Sequence, residues 1–165
     1  MRTRVIVKGQ RDSKIDSVIE KLKPVLSELG GTLDASIKSA LLESNIELQR
    51  LGKFVFCSID SVGITICSGH IDGLYAKLFN AYSLYKFKKI DSLILIAKTQ
   101  KETWWNHQEA QIRKGKPLVN NDGNRQSWGD IKDAITSSTH WYDIPITALV
   151  VERKLSAEKY DKFEW

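Results

Sequence analysis

The sequence has few of the residues that cross-link a chain or bind soft metals. Its 165 residues include two cysteines, three prolines, three histidines and one methionine. Cys57 and Cys67 belong to no Cys-x-x-Cys motif or Cys/His cluster, which argues against a zinc site. In a chain with no export signal, two buried free thiols are the expected state rather than a disulfide.

The sequence also lacks a long apolar run. Residues 93–97 form the longest one, and Asp91 and Ser92 separate it from Ile90. A membrane span needs about 20 apolar residues, so we expect no membrane association. The first residues, "MRTRVIVKGQRDSKID", reach charge too soon for the apolar region of a signal peptide. We therefore expect a cytoplasmic protein.

What is present is typical of one soluble globular domain. Hydrophobic residues make up 42% of the chain and charged residues 27%, with no repeat or linker. The length fits a single domain over residues 1–165. The net charge of +5 and the pI of about 9.1 suggest a polyanionic partner, for which nucleic acid is the commonest example.

The first part of the chain predicts one strand and two helices. The side chains of "RVIVKG" alternate sides and the segment ends at Gly9, as a first strand would. Apolar residues then recur at helical spacing from Asp12 to Leu29, before Gly30. The same spacing from Ile37 to Leu51 predicts a second helix.

The stretch "FVFCSIDSVGITICSGHIDGLYAKLF" predicts a β-hairpin followed by a third helix, with Asp60 in the turn. "IDSLILIA" predicts a strand that is covered on both faces, because its apolar residues are consecutive. "SWGDIKDAITS" is helical in spacing, with Ser127 as a candidate N-cap. "DIPITALVVE" predicts the last strand, and "KETWWNHQEAQIRKG" and "LSAEKYDKFEW" are candidate helices. This order predicts an α/β fold with a mixed central sheet flanked by helices on both sides.

The element order resembles that of the PD-(D/E)xK nucleases, and in pattern the type II restriction endonucleases of the BglII and BstYI group. The similarity runs from about Ile37 to Glu152 and is carried by three segments: "LYAKLFNAYSLYKFKKIDSLILIAKTQKE", "SWGDIKDAI" and "YDIPITALVVE". The resemblance implies a restriction-endonuclease-like fold, cleavage of double-stranded DNA in a restriction system, Mg²⁺ as the cofactor and a homodimer.

The resemblance also implies a catalytic site, which this chain matches in part. Mg²⁺-assisted hydrolysis needs carboxylates that hold the ion against the scissile phosphate. Asp60 matches the first acid, as a catalytic and metal-binding residue. Thr65 and Cys67 stand where the second acid and its partner are expected, and both are poor ligands for a hard cation. If the missing carboxylate lies on the preceding helix, Glu47 fits best, with Glu43 one turn before it.

The segment between the buried strand and the last strand contains cations, tryptophans and amides. Lys and Arg neutralise phosphates, indoles stack on bases, and Asn can bind adenine edges. The candidate nucleic-acid-binding residues are Lys98, Lys101, Trp104, Trp105, Arg113, Lys114, Lys116, Asn120, Asn121 and Arg125.

Each of these assignments has a structural alternative. Asp60 is also a common turn residue, Glu43 and Glu47 are also typical solvated helix residues, and the tryptophans are also typical core or interface residues. Three functions therefore stay open: a Mg²⁺-dependent endodeoxyribonuclease, a catalytically inactive protein of the same fold that binds DNA or a partner, and a protein-interaction or small-molecule α/β domain. No glycine loop with the spacing of a dinucleotide or P-loop site follows a strand.

Overall fold

The computed structural model describes residues 2–8, 13–27, 33–68, 72–98, 111–112, 114–116, 128–137 and 143–152. Within these ranges, the element order along the chain is β-α-α-β-β-β-α-β-α-β. The strands are β1 (Arg2–Lys8), β2 (Gln49–Arg50), β3 (Cys57–Ile59), β4 (Val62–Cys67), β5 (Ser92–Lys98) and β6 (Ile146–Glu152). The helices are α1 (Ser13–Ser27), α2 (Leu33–Glu43), α3 (Asp72–Lys86) and α4 (Trp128–Ser137).

The strands form one mixed sheet in the order β1-β6-β5-β4-β3-β2. The three central strands β4, β5 and β6 are parallel, with Val62 opposite Ser92 and Leu93 opposite Ile146. The outer pairs β1·β6, β3·β4 and β2·β3 are antiparallel. The carboxyl ends of the three parallel strands therefore lie together at one end of the sheet, and their amino ends at the other.

Helices cover both faces of this sheet. Consecutive strand residues point to opposite faces, so each strand contributes side chains to two separate cores. Ile64, Ile66 and Ile94 pack with α1 and α2 in one core cluster. The intervening residues, such as Cys67 and Leu95, pack with α3 and α4 in a second cluster. The α/β architecture predicted from the element order is thus confirmed, as is the prediction that β5 is covered on both faces.

The second helix is shorter than its apolar spacing predicted. α2 ends at Glu43, and Gln49–Arg50 pair with β3 as an edge strand. The Ser44 hydroxyl donates a hydrogen bond to the carbonyl of Leu41 and accepts one from the amide of Ile46. This side chain satisfies the backbone groups that a continuing helix would have used, so the chain turns toward the sheet.

Both cysteines are buried and unpaired, as predicted. None of the helices in the described ranges is long and apolar enough to cross a membrane.

Candidate functional site

Asp60 lies in a two-residue hairpin turn between β3 and β4. Asp60 and Ser61 have positive φ values of 50° and 65°, the conformation of a type I′ turn. Asp is one of the residues that adopt this region most readily, so the local sequence explains the turn without any catalytic requirement. The carboxylate is half exposed and accepts a hydrogen bond of 2.5 Å from Lys21 Nζ of α1.

A second acid lies at the same end of the sheet and has a similar partner. The Asp91 amide donates to the carbonyl of Ser61, and the Asp91 carboxylate accepts a hydrogen bond of 2.8 Å from Lys14 Nζ. Lys14 and Lys21 are seven residues apart, which places them two turns apart on one side of α1. Two lysines of one helix thus bind two acids at the amino end of the parallel strands. A cation at Asp60 would have to compete with the Lys21 ammonium.

Thr65 and Cys67, which the resemblance predicted at the positions of the second acid and its partner, both lie inside the protein. They share the face of β4 that is covered by α3, and neither is exposed. The Thr65 hydroxyl donates to the carbonyl of Phe54 at 3.3 Å. Burial raises the pKa of the Cys67 thiol to about 12, with Lys77 opposing the shift. The thiol therefore stays protonated near neutral pH and is no ligand for Mg²⁺.

The two candidate glutamates occupy different environments. Glu43 is the last residue of α2, is exposed, and accepts a hydrogen bond of 2.7 Å from Ser39. Glu47 is not helical, contrary to the prediction; it is exposed and lies two residues before β2. Because Gln49 pairs with Ser58 in an antiparallel ladder, the chain at Glu47 lies at the same end of the sheet as Asp60.

These acids do not assemble into a recognisable metal site. Within the ranges that the structure describes, no group of three or more His, Cys, Asp or Glu side chains could hold a metal ion.

Lys98 lies at the opposite end of the sheet from Asp60. It ends β5 opposite Val151, one residue beyond the Ala97–Cys67 pair. Asp60 lies one position beyond the Ile59–Val62 pair, and Val62 pairs with Ser92, so seven strand positions, or roughly 23 Å, separate Asp60 and Lys98 along the sheet. The predicted acid and this predicted phosphate-binding lysine are therefore not neighbours.

Lys77 is a cation at this carboxyl end that the sequence analysis did not single out. Its ammonium donates to the carbonyl of Ile66 at 2.7 Å and to that of Ser68 at 3.2 Å. Its position on α3 between the buried Leu74 and Leu78 was the available signal, because a lysine inside an apolar face usually has a specific partner. Here that partner is the end of β4.

Among the remaining predicted nucleic-acid-binding residues, the structure describes Lys114 and Lys116, and both are exposed. They flank Gly115, whose φ is 60°. The amide of Lys116 donates to the carbonyl of Gln111 and that of Gly115 to Ile112, the hydrogen-bond pattern of a Schellman helix end. The others lie outside the described residues: Lys101, Trp104, Trp105, Arg113, Asn120, Asn121 and Arg125.

Known proteins match this chain through structure and not through sequence. No protein-family model and no curated protein sequence matches it. Among solved structures, the crystal structure of the restriction endonuclease BglII complexed with a DNA 16-mer superposes with a TM-score of 0.61 at 9% sequence identity. The match covers 95% of this chain and 81% of that one. The restriction-endonuclease-like fold is therefore confirmed.

Proposed function

We propose that this chain is a double-stranded-DNA-binding protein of the restriction-endonuclease type. The supporting observation is the fold that it shares, over 95% of its length, with a restriction endonuclease whose structure contains DNA. The net charge of +5 adds to this, because Lys and Arg side chains gain affinity for duplex DNA by releasing counterions from phosphates. Lys98, Lys114 and Lys116 are the described residues proposed to contact the backbone.

The finer proposal is that the chain is a PD-(D/E)xK endodeoxyribonuclease that hydrolyses phosphodiester bonds with Mg²⁺ in a restriction system. Asp60 is the proposed metal-binding acid, with Glu47 and Glu43 as further catalytic candidates. Mg²⁺, when bound in such a site, would stabilise the developing charge on the phosphate.

A second candidate function is DNA binding without hydrolysis. Two observations favour it. Thr65 and Cys67 are buried where the second acid and its partner would stand, and Lys21 already neutralises Asp60.

DNA binding is tested by titrating a labelled duplex with the protein at increasing salt concentrations and measuring fluorescence anisotropy. The logarithm of the affinity should fall linearly with the logarithm of the salt concentration. The Lys114→Gln/Lys116→Gln variant should bind more weakly with a shallower slope. Lys23→Gln/Lys132→Gln removes the same charge from exposed positions on α1 and α4 and is the matched control. An affinity independent of salt would contradict both functions.

Hydrolysis is tested by incubating supercoiled plasmid with the protein and Mg²⁺ or Mn²⁺. If Asp60 is catalytic, Asp60→Asn should reduce the cleavage rate by about 100-fold or more, because the substitution removes the negative charge that would bind the metal ion. Asparagine is the chosen replacement because it tolerates the left-handed backbone of the turn. Asp91→Asn is the matched control, because Asp91 is a lysine-paired acid at the same sheet end. Salt-dependent binding without cleavage would favour the second candidate. Cleavage that is unaffected by Asp60→Asn would remove Asp60 from the site.

A further inference from the structure

Helix α3 is followed by an aromatic residue that the described part of the chain leaves open to solvent. Phe87 comes directly after the last helical residue, Lys86, and is 78% exposed. No other large hydrophobic side chain that the structure describes is as exposed. A single exposed apolar residue is common on protein surfaces, so the ring by itself indicates nothing. Its two neighbours along the chain make the position unusual.

The first of these neighbours has a backbone conformation that does not suit its residue type. Lys88 has a φ of 54°, in the left-handed region. The Lys88 amide donates to the carbonyl of Tyr85 at 2.9 Å. The Lys89 amide donates to that of Leu84 at 2.8 Å, which completes a Schellman helix end. Glycine is the usual residue here because it has no Cβ, and the helix end at Gly115 does have glycine. A lysine in this strained position points to a use for its side chain.

The charges at this end of the sheet leave two lysines without an acid. Three ion pairs between exposed side chains lie there: Lys14–Asp91, Lys21–Asp60 and Lys86–Asp143. Lys88 and Lys89 are also exposed, and neither forms an ion pair with a residue that the structure describes. Two uncompensated positive charges therefore adjoin the exposed ring. We call Phe87, Lys88 and Lys89 the α3 tip.

The dipole of α3 explains part of this arrangement. Cations are stabilised close to the C-terminus of a helix, which favours lysines at the end of α3. The dipole does not explain the exposed ring of Phe87. It does not explain lysine in place of glycine at position 88 either, because the Lys86 and Lys89 side chains already provide positive charge there.

The ligand that fits the α3 tip is anionic and flat. Because the Phe87 ring protrudes, a partner covers it either with a pocket of its own or with a planar face. An unpaired nucleic-acid base offers such a face, and its flanking phosphates offer charge for lysines. The bases of a duplex are already stacked on each other, so a duplex offers the tip only its phosphates. An unpaired strand therefore matches both the ring and the two cations.

An anionic membrane matches the α3 tip less well. Binding to a membrane surface increases with the apolar area that is buried in it. The tip has only one apolar side chain, and the exposed carboxylates of Asp91 and Asp143 lie at the same end of the sheet. These carboxylates would be repelled by anionic lipids.

We propose that the α3 tip binds single-stranded nucleic acid, with Phe87 stacked on a base and with Lys88 and Lys89 bound to the flanking phosphates. The tip precedes β5, whereas Lys98 ends this strand, so the two lie at opposite ends of the sheet. Single-strand binding at the tip goes beyond the duplex binding of the proposed function and does not depend on it.

The stacking contact is tested by fluorescence anisotropy with a labelled oligothymidylate and with an abasic strand of the same length, about 12 nucleotides. The unaltered protein should bind the oligothymidylate more tightly, because only this strand has bases. Phe87→Leu keeps an apolar side chain but removes the aromatic face. It should weaken oligothymidylate binding by about tenfold and leave the abasic strand unaffected. Phe79→Leu is the matched control, since Phe79 is an exposed aromatic residue within the same helix, and should change neither affinity.

The phosphate contacts are tested by repeating the oligothymidylate titration at increasing salt concentrations. Lys88→Gln/Lys89→Gln should weaken binding. It should also make the slope of log affinity against log salt shallower by about 1.4, because each phosphate contact to a single strand contributes about 0.7. Lys23→Gln/Lys132→Gln removes the same charge from α1 and α4 and should leave the slope unchanged.

A comparison of two double variants separates the α3 tip from the surface proposed for duplex DNA. Lys88→Gln/Lys89→Gln should weaken the binding of the single strand and not that of a duplex. Lys114→Gln/Lys116→Gln should do the reverse. A chain that binds no duplex but still binds the oligothymidylate through the tip would contradict the proposed function alone.

Lys88→Gly separates a ligand-binding role from a structural one. Glycine adopts a positive φ without strain, so this variant should have a higher melting temperature than the unaltered protein. It should nevertheless bind the oligothymidylate more weakly, because one phosphate contact is lost. A lower melting temperature would show that the lysine stabilises the helix end, and would contradict its assignment to a ligand.

Four further results would overturn the single-strand site. Equal affinity for the oligothymidylate and the abasic strand would show that no base stacks on the ring. Equal weakening of single-strand and duplex binding by Lys88→Gln/Lys89→Gln would make the tip a general phosphate contact. Displacement of the oligothymidylate by polyglutamate at an equal concentration of charge would favour an acidic protein as the ligand. Cosedimentation with phosphatidylserine vesicles that is lost in Phe87→Ser would favour a membrane.

Discussion

Lys21 Nζ lies 2.5 Å from Asp60 Oδ2, so the acid in the first hairpin turn is tied to helix α1. Lys14 and Asp91 form a second ion pair between α1 and the same end of the sheet. The acid that the sequence marks as a metal ligand thus already has a cationic partner. A Mg²⁺ ion bound by this carboxylate would lie beside the Lys21 ammonium or displace it.

The Lys21–Asp60 pair should contribute little to stability. Both side chains are about half exposed, at 43% and 50%, and exposed ion pairs contribute about 1 kcal/mol or less. A double-mutant cycle with Lys21→Met and Asp60→Asn, measured by urea unfolding, should give a coupling energy below about 1 kcal/mol that decreases with added salt. A coupling above about 2 kcal/mol would show that the pair is shielded from solvent.

The two buried threonines should respond in opposite directions to replacement by valine. Thr147 is buried and its hydroxyl has no hydrogen-bond partner among the residues that the structure describes, so Thr147→Val should raise the free energy of unfolding by about 1 kcal/mol. Thr65 is equally buried, but its hydroxyl donates to the carbonyl of Phe54. Thr65→Val should therefore lower the free energy of unfolding by about 1 kcal/mol. The shape change is the same, so each variant controls for the other. Destabilisation by Thr147→Val would indicate a partner for its hydroxyl.

The native protein should resist thiol reagents. Burial raises the pKa of Cys57 and of Cys67 to about 12, so the thiolate fraction at pH 8 is about one in ten thousand. At pH 8, neither thiol of the native protein should react with Ellman's reagent on the time scale of a free cysteine. In guanidinium chloride, two thiols per chain should react with the reagent. Rapid reaction of one thiol in the native protein would show local opening of the sheet near that cysteine.

The Lys86–Asp143 pair should stabilise the protein only over a defined pH range. The hydrogen bond from Lys86 lowers the pKa of Asp143 below 3.8, and the same contact raises the pKa of Lys86 above 10.5. The stabilisation from Asp143 is present above its unfolded pKa of 3.8 and is lost as the pH falls through the folded value. The stabilisation from Lys86 is present below its unfolded pKa of 10.5 and is lost as the pH rises through its folded value.

Thermal unfolding as a function of pH checks this range. Asp143→Asn should lower the melting temperature slightly at pH 7, and the difference from the unaltered chain should disappear in acid below the folded pKa of Asp143. Lys86→Gln should have the same effect at pH 7, and the double variant should add little to either. A difference that persists in acid would mean that Asp143 acts through something other than its charge.

The course of the central strands was predictable from residues in sequence. The consecutive apolar residues of β5 indicated two covered faces, and residues 92–97 are all buried. The hairpin around Asp60 was predictable because Asp and Ser tolerate the backbone that its turn requires. The end of α2 was not predictable, because the apolar spacing continues to Leu51. In the structure, the hydrogen bonds of the Ser44 side chain and the pairing of Gln49–Arg50 with β3 end the helix earlier.

The sequence alone determined most of the layers of this protein: except at the end of α2 and at β2, its apolar periodicities specify which segments become strands, which become helices and which strand is covered on both faces. Only the tertiary structure decided which charged groups meet. Strand order and direction place Asp60 and Lys98 at opposite ends of the sheet and bring Lys14 and Lys21 to the acids. The physical reason is that side-chain periodicity is a local property, whereas contacts between charges depend on the pairing of strands that are distant in the chain.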